Sequence, residues 1–238
     1  MAETVILCGG KGTRAYPHTV ELPKPLLEVA GRPVLRHVME LYASQGHTRF
    51  VLAAGYRVEL VEEFAASVPA AWDVDVVDTG LDTNTGERLL RCRDRVGDPF
   101  FATYADGLAN VDLAALEAFH CGHDGVATLT TVPLPSPYGT IEFDRQGRVN
   151  RFSEKPRLVD HAINGGFFMF DQSVFEHWEG ADLEREILPR LGAAGQLFAR
   201  RHEGFWKSMD TYKDALELSA LASGGSAPWL SPATPASW

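Results

Sequence analysis

The sequence predicts an α/β fold with a mixed, mostly parallel sheet flanked by helices. Short apolar runs rich in β-branched residues recur along the chain, and stretches with apolar residues at helical spacing separate them. Several runs end abruptly on small or acidic residues: Gly9-Gly10, Asp78-Thr79-Gly80 and Asp106-Gly107. Parallel strands joined by crossover helices produce this alternation, and sites in such sheets lie beyond the carboxyl ends of the strands.

Thr4-Val5-Ile6-Leu7-Cys8 reads as a strand buried on both faces, stopped by Gly9-Gly10. A polar loop punctuated by Gly and Pro follows to Pro33. Val34, Leu35, Val38, Leu41 and Tyr42 then mark a helix, with Gly46 as its stop. Phe50–Ala54 is a second strand, Val58 to Phe64 a second helix, Val74–Val77 a third strand and Phe100–Tyr104 a fourth. Leu113–His120 reads as a helix and Val126–Val132 as a fifth strand. After Pro133 the rhythm changes. Thr140–Phe143 and Val149–Phe152 flank Asp144-Arg145-Gln146-Gly147, a hairpin signal. Gly165-Gly166 opens a strand, Phe167–Phe170. Helical stretches follow at Leu183–Leu191 and Tyr212–Leu221, and the chain from Ser226 reads as irregular.

No linker is long enough to separate independent units, so residues 1–238 are expected to form a single domain. Hydrophobic residues make up 45% of the 238 and charged residues 23%, enough apolar material for a sizeable core. The formal net charge is −10, which repels nucleic-acid backbones and predicts no nucleic-acid partner. Three cysteines without a Cys-x-x-Cys pair argue against a disulfide framework or zinc ribbon. No apolar run reaches membrane-spanning length and no leader is evident, so a cytoplasmic protein with no membrane partner is expected.

The strongest chemical signal is Gly9-Gly10-Lys11-Gly12-Thr13-Arg14 directly after the first strand, followed by Pro23-Lys24-Pro25. Glycines let a backbone approach a ligand closely, and successive N–H groups cradle phosphate oxygens. Arg14 and Lys24 add cations beside that cradle. No Gly-Lys-Ser/Thr ends the stretch, so it is not a P-loop, and Ala15 stands where a dinucleotide fingerprint needs its third glycine. Asp106 is either a turn residue before Gly107 or a hard oxygen ligand at a strand end. Asp210 is either the N-cap of the helix that follows or a second such ligand. Phe205 and Trp206 read equally well as core residues or as walls of a site.

Gly-Gly-x-Gly-Thr-Arg followed by Pro-Lys-Pro-Leu resembles the signature of the sugar nucleotidyltransferases. The resemblance continues through Asp78-Thr79-Gly80, Thr85-Gly86-x-Arg88-Leu89, Tyr104-Ala105-Asp106-Gly107, Glu154-Lys155-Pro156 and Ile163-Asn164-Gly165-Gly166. Gly204-Phe205-Trp206, Met209-Asp210-Thr211 and Ala227-Pro228-Trp229 extend it nearly to the end. The set is most similar to the glucose-1-phosphate cytidylyltransferase branch. The pattern departs from it at Ala15, where that branch has Leu, at Ala105, where it has Gly, and in a shorter segment between Phe64 and Trp72.

The resemblance implies the nucleotide-diphospho-sugar transferase type of Rossmann-like sheet with a small β-rich sugar-binding subregion. Residues 1–132 would mainly bind nucleotide, 133–222 the sugar phosphate, and 223–238 would be a tail. It implies transfer of a cytidylyl group from CTP to a sugar-1-phosphate, with glucose-1-phosphate favoured, Mg2+ as cofactor, deoxysugar biosynthesis as setting and a homo-oligomer. The implied nucleotide contacts are Leu7, Gly9, Gly10, Gly12, Thr13, Arg14, Lys24, Thr79, Gly80, Thr85 and Gly86. Arg14 and Lys24 carry the catalytic charge. Tyr104, Gly139, Glu154, Lys155, Asn164 and Gly165 are the implied sugar-phosphate contacts, and Asp106 and Asp210 the metal ligands. The same reaction with dTTP or UTP, with another sugar phosphate, and a non-catalytic sugar-nucleotide-binding protein are the alternatives.

A phosphate monoester's second pKa is about 6, so the attacking oxygen is already anionic and needs no general base. This agrees with the absence of any Ser/His/Asp or Cys/His constellation. Charge neutralisation and positioning then supply the rate.

Overall fold

The computed structural model describes residues 2–223 and 227–231, without the side chains of Arg14, Val159 and Asp160. The strands are β1 (Thr4–Leu7), β2 (Glu28–Val29), β3 (Arg32–Pro33), β4 (Arg49–Ala54), β5 (Asp73–Asp78), β6 (Phe100–Tyr104), β7 (Gly107–Ala109), β8 (Ala127–Pro135), β9 (Thr140–Phe143), β10 (Val149–Ser153), β11 (Arg157–Phe170), β12 (Leu197–Arg201) and β13 (Trp206–Ser208). The helices are α1 (Val34–Ala43), α2 (Val58–Ala66), α3 (Thr85–Arg91), α4 (Leu113–His120), α5 (Leu188–Ala193) and α6 (Tyr212–Ser223).

Seven strands form the central sheet in the order β12-β8-β11-β6-β1-β4-β5. The pairs β1–β4, β1–β6, β4–β5 and β12–β8 are parallel, and β11 runs antiparallel to both β6 and β8. The expected mixed, mostly parallel sheet is therefore present.

Alternation along the strands divides the core into two layers. Ile6, Leu52, Phe101 and Phe167 face one side, where they meet α1 through Leu35, Val38, Met39 and Tyr42. Val5, Leu7, Val51, Ala102 and Phe168 face the other, where Leu89 of α3 and Ile187 cover them. Burying each large aliphatic or aromatic side chain contributes about 1.5–3 kcal/mol, which explains why the central strands are apolar on both faces.

The strand read as Phe167–Phe170 is the end of β11, which begins at Arg157. Gly165-Gly166 suggested a strand start, but it lies where the β11–β8 ladder is interrupted, with Gly166 at φ 79°. Leu183–Leu191 is not uniform: Leu183–Ile187 forms a π-helical turn and α5 follows. The 223–238 tail also needs correction within its described part. Pro228–Leu230 forms a short 3-10 turn, and Trp229 is buried against His37 and Phe205. Residues 224–226 and 232–238 lie outside the described residues.

Among the described residues no helix is long and apolar enough to cross a membrane.

Burial holds the pKa of His37, His47, His123 and His202 below the ordinary histidine value. Unfolding restores those values, so below about pH 6.5 the unfolded chain binds protons that the folded chain refuses. The stabilisation is fully present above that pH and is lost as pH falls toward the folded pKa values. The melting temperature is expected to drop between pH 7 and pH 5, read by circular dichroism; a flat or rising profile would contradict this assignment.

Candidate active site

A cleft of about 570 Å³ opens at the carboxyl ends of β1 and β6. Leu7, Gly9, Gly10 and Gly12 form one wall, Tyr104, Asn164 and Gly165 the opposite one, and Lys24, Asp106 and Asp210 lie between them.

Gly12 has φ +62°, a left-handed conformation that favours glycine, and a Cβ there would lie 2.6 Å from the Cβ of Lys24. The glycine therefore lets the loop fold against the lysine stem. Lys24 begins a 3-10 turn between Pro23 and Pro25 and is only 8% exposed. Its ammonium donates to Asp106 Oδ2 and, at 2.9 Å, to Asp210 Oδ1.

The two aspartates meet because β7 and β13 pair antiparallel, with Ser208 opposite Gly107. The Met209 N–H donates to the Asp106 carbonyl at 2.8 Å, closing that ladder beside the carboxylates. At the start of helix α6, Thr211 N–H donates to Asp214 Oδ2, and Asp214 N–H donates to Thr211 Oγ1. Asp210 turns its carboxylate into the cleft, where Ser208 Oγ donates to Oδ2 at 3.2 Å.

Beyond this pair, the described residues hold no group of three or more His, Cys, Asp or Glu arranged to take a metal ion. Two convergent carboxylates suit a hard cation such as Mg2+, which takes one or two protein carboxylates and completes its shell with water and phosphate oxygens.

Other expected contacts are placed differently. Thr79 is fully buried, and its hydroxyl donates to the Ala54 carbonyl behind the cleft wall. Gly80, at φ +85°, directs its carbonyl to Arg88. Gly86 packs against the π-helical turn, where a Cβ would strike Ile187. Thr85 lines the cleft through its side chain, whereas Thr13 lines a separate cavity with Tyr16 and Tyr56. Gly139, Glu154 and Lys155 do not line the cleft; they lie beside the β9–β10 hairpin, with Phe152 close to Gly139 and both charged residues exposed. The Arg14 side chain lies outside the described residues.

Taken together, these positions form a glycine-rich rim, a lysine between two carboxylates and a polar far wall. Residues 3–222 match the family model described as nucleotidyl transferase. The chain belongs to that family.

It is 36% identical over 252 residues to the probable glucose-1-phosphate cytidylyltransferase of Bacillus subtilis, covering 95% of this chain and 98% of that protein. It is 36% identical over 253 residues to the glucose-1-phosphate cytidylyltransferase of Salmonella typhimurium, with the same coverage. It is 34% identical over 251 residues to the mannose-1-phosphate guanyltransferase of Hypocrea jecorina, covering 97% of this chain and 68% of that protein. The crystal structure of HddC from Yersinia pseudotuberculosis complexed with GMP-PN shares the fold, with a TM-score of 0.73 at 21% identity over 92% of this chain and 99% of that one.

Several cleft residues of this nucleotidyl transferase family member are not predicted by the sequence reading. Arg88 is 4% exposed, and its guanidinium donates to the carbonyls of Ala54, Gly80, Gly9 and Leu81 and to Thr79 Oγ1. Burial lowers its pKa, yet a guanidinium's ordinary value is so high that it stays charged. The Thr85-Gly86-x-Arg88 motif contains the residue but gives no sign of this role.

Glu184, on the π-helical turn, accepts from Tyr104 Oη and, at 2.7 Å, from Thr85 Oγ1; Asn164 Nδ2 donates to the same tyrosine oxygen at 3.2 Å. Burial, reinforced by the adjacent Glu184 carboxylate, raises the Tyr104 pKa, so the phenol stays protonated and able to donate. Helical spacing at Leu183–Leu191 hides Glu184 as an ordinary polar-face residue.

The two aromatic residues left open by the sequence divide. Trp206 lines the cleft and donates from Nε1 to the Gly165 carbonyl at 2.8 Å, whereas Phe205 packs on Trp229. Ala15 and Ala105, the departures from the pattern, are both buried, and Ala105 lies in the cleft wall beside Asp106. Cys8 is fully buried and burial pushes its thiol up to about 12, so it is a neutral packing residue rather than a nucleophile.

Proposed function

We propose that the protein transfers a cytidylyl group from CTP to a sugar-1-phosphate, with glucose-1-phosphate the favoured acceptor, giving a CDP-sugar and pyrophosphate. The observation that carries this reading is the convergence of the glycine-rich loop, Lys24, Asp106 and Asp210 in one cleft facing Asn164 and Gly165. The nucleotide and sugar rest on full-length likeness to the two glucose-1-phosphate cytidylyltransferases.

In this reading residues 1–132 mainly hold the nucleotide and 133–222 the sugar phosphate. Backbone groups at Leu7–Gly12 meet the base and phosphates, with Arg14 on the departing pyrophosphate and Lys24 on the phosphates at the reacting centre. Tyr104, Asn164 and Gly165 meet the sugar. Asp106 and Asp210 would hold Mg2+, which on binding neutralises phosphate charge and orients the α-phosphorus. The protein works in the cytoplasm and supplies an activated sugar for deoxysugar formation. The expected homo-oligomer is supported by the β9–β10 hairpin, which leaves Ile141, Phe143, Val149 and Phe152 each more than half exposed.

The test is a panel of CTP, dTTP, UTP, GTP and ATP against glucose-1-phosphate and mannose-1-phosphate with Mg2+, products identified by mass spectrometry. CDP-glucose is the expected best product. GDP-mannose would instead favour the activity named for the 34% identical fungal relative, and no pyrophosphate release from any pair would favour a binding protein.

Among the described residues, the cationic side chains lining the cleft are Lys24 and Arg88, and the guanidinium nitrogens of Arg88 are already engaged by backbone and Thr79. A second dianion needs a further cation, and Lys155, in the connection between β10 and β11 beside the hairpin, is proposed to supply it. Lys155→Ala is expected to raise the sugar-phosphate KM about ten- to hundred-fold, as loss of a charged hydrogen bond does, and to spare the KM for CTP. An unchanged sugar-phosphate KM would leave Lys155 outside the site.

A further inference from the structure

The ammonium of Lys24 lies between Asp106 and Asp210, the two carboxylates that would hold a divalent cation. It contacts an oxygen of each carboxylate, and its side chain is 10% exposed against 24% and 33% for the aspartates. The arrangement is held from every side. Pro23 and Pro25 fix the lysine backbone in its 3-10 turn, and Gly12 closes on its stem. The β7–β13 ladder and the Met209-to-Asp106 hydrogen bond keep the two carboxylates from separating.

Two adjacent carboxylates repel one another, and one ammonium between them removes most of that cost. A divalent cation added beside an unmoved ammonium would meet a like charge at contact distance. The long lysine side chain leaves at least cost when another anion receives its charge; the Glu184 carboxylate in the same cleft is already engaged by Tyr104 and Thr85, and the incoming triphosphate brings a far larger negative charge.

We infer that Lys24 is a resident cation that keeps the aspartate pair closed to free divalent metal until the triphosphate draws the ammonium away. The inference rests on the reading of Asp106 and Asp210 as the metal pair. Metal and nucleotide then bind with positive coupling: each strengthens the other because both depend on the same displacement of Lys24. The lysine acts twice, first as a guard on the carboxylates and then as a phosphate ligand.

The test is binding of Mn2+, followed by electron paramagnetic resonance, to the full chain with and without α,β-methylene-CTP, an unreactive analogue. Wild-type protein is expected to bind Mn2+ weakly alone and strongly with the analogue. Lys24→Met is expected to bind Mn2+ alone about tenfold or more tightly than wild type, and to lose most of the coupling to nucleotide. Lys24→Gln provides a second neutral variant, and a circular dichroism melt of each checks folding. Arg93→Met removes one exposed positive charge outside the cleft, which in the protein pairs with Asp94 at 3.6 Å, and is expected to leave Mn2+ affinity unchanged.

Equal Mn2+ affinity in wild type and both Lys24 variants overturns the inference, as does an equal gain in Arg93→Met. If binding with the analogue still requires Asp106, the metal reading survives that outcome. Absence of Mn2+ binding even with the analogue removes the metal reading and the inference together.

Discussion

Asp106→Asn is expected to stop turnover while leaving the fold intact. The carboxylate projects from the turn between β6 and β7, faces Lys24 and is partly exposed, so it contributes little to the core. The variant leaves Lys24 paired with Asp210 and removes the repulsion between the two carboxylates, so the lysine is not stranded without a counter-charge and the variant should melt within a few degrees of the parent. The effect on chemistry is far larger. Asparagine presents a neutral amide where the proposed reaction needs negative charge to hold a cation against phosphate, and kcat is expected to fall by about 10²–10³-fold or more. Steady-state pyrophosphate release with CTP and glucose-1-phosphate measures the loss, and a melt on the same preparation shows whether the fold survived. Asp82→Asn makes the same charge change at a side chain that is 85% exposed and is expected to leave kcat unchanged. Near-normal turnover in Asp106→Asn would remove this carboxylate from the reacting centre.

How these residues come together shows what the sequence can and cannot reveal. The central strands were legible because both faces are apolar, as in β1 and β6, and strand ends were marked by glycine or acidic turns, as after Leu7 and Tyr104 and at Asp78 of the edge strand β5. Asp106 and Asp210 were legible as candidates, but their meeting was not. It depends on the three-residue strands β7 and β13, too short to show any period-2 pattern and paired across a long stretch of chain. Helix α3 was missed for the same reason, since seven residues beginning Thr-Gly contain too few apolar positions to establish helical spacing. Glu184 was concealed by the opposite problem. Its segment is periodic enough to suggest a plain amphipathic helix, while the backbone forms a π turn that directs the carboxylate toward Tyr104 and Thr85. Single strands and loops follow from local chemistry, whereas pairings and buried polar contacts depend on partners far away in the chain.

Arg88 illustrates that dependence most clearly and carries the other large expected effect. Its guanidinium joins the ends of three parallel strands: Gly9 after β1, Ala54 at the end of β4, and Thr79, Gly80 and Leu81 after β5. A methyl group on Gly9 or Gly55 would enter the space that Arg88 fills, so both glycines make room for it. Arg88→Met removes the donors while leaving several buried acceptors behind, each costing about 1–3 kcal/mol if it finds no new partner. Because neighbouring losses do not add, the total expected is about 3–5 kcal/mol, read from the urea midpoint. Arg88→Lys should lose less, but an ammonium on one carbon stem cannot span the same acceptors as a planar fork. The strand ends that Arg88 joins include the backbone at Gly9 proposed to meet the nucleotide. In Arg88→Lys the KM for CTP is therefore expected to rise about tenfold with kcat at saturation nearly unchanged, because loop placement is disturbed and the carboxylate pair is not. A purely structural role predicts the urea shift without that KM change, so an unaltered KM in a folded Arg88→Lys would confine the residue to holding the strands together.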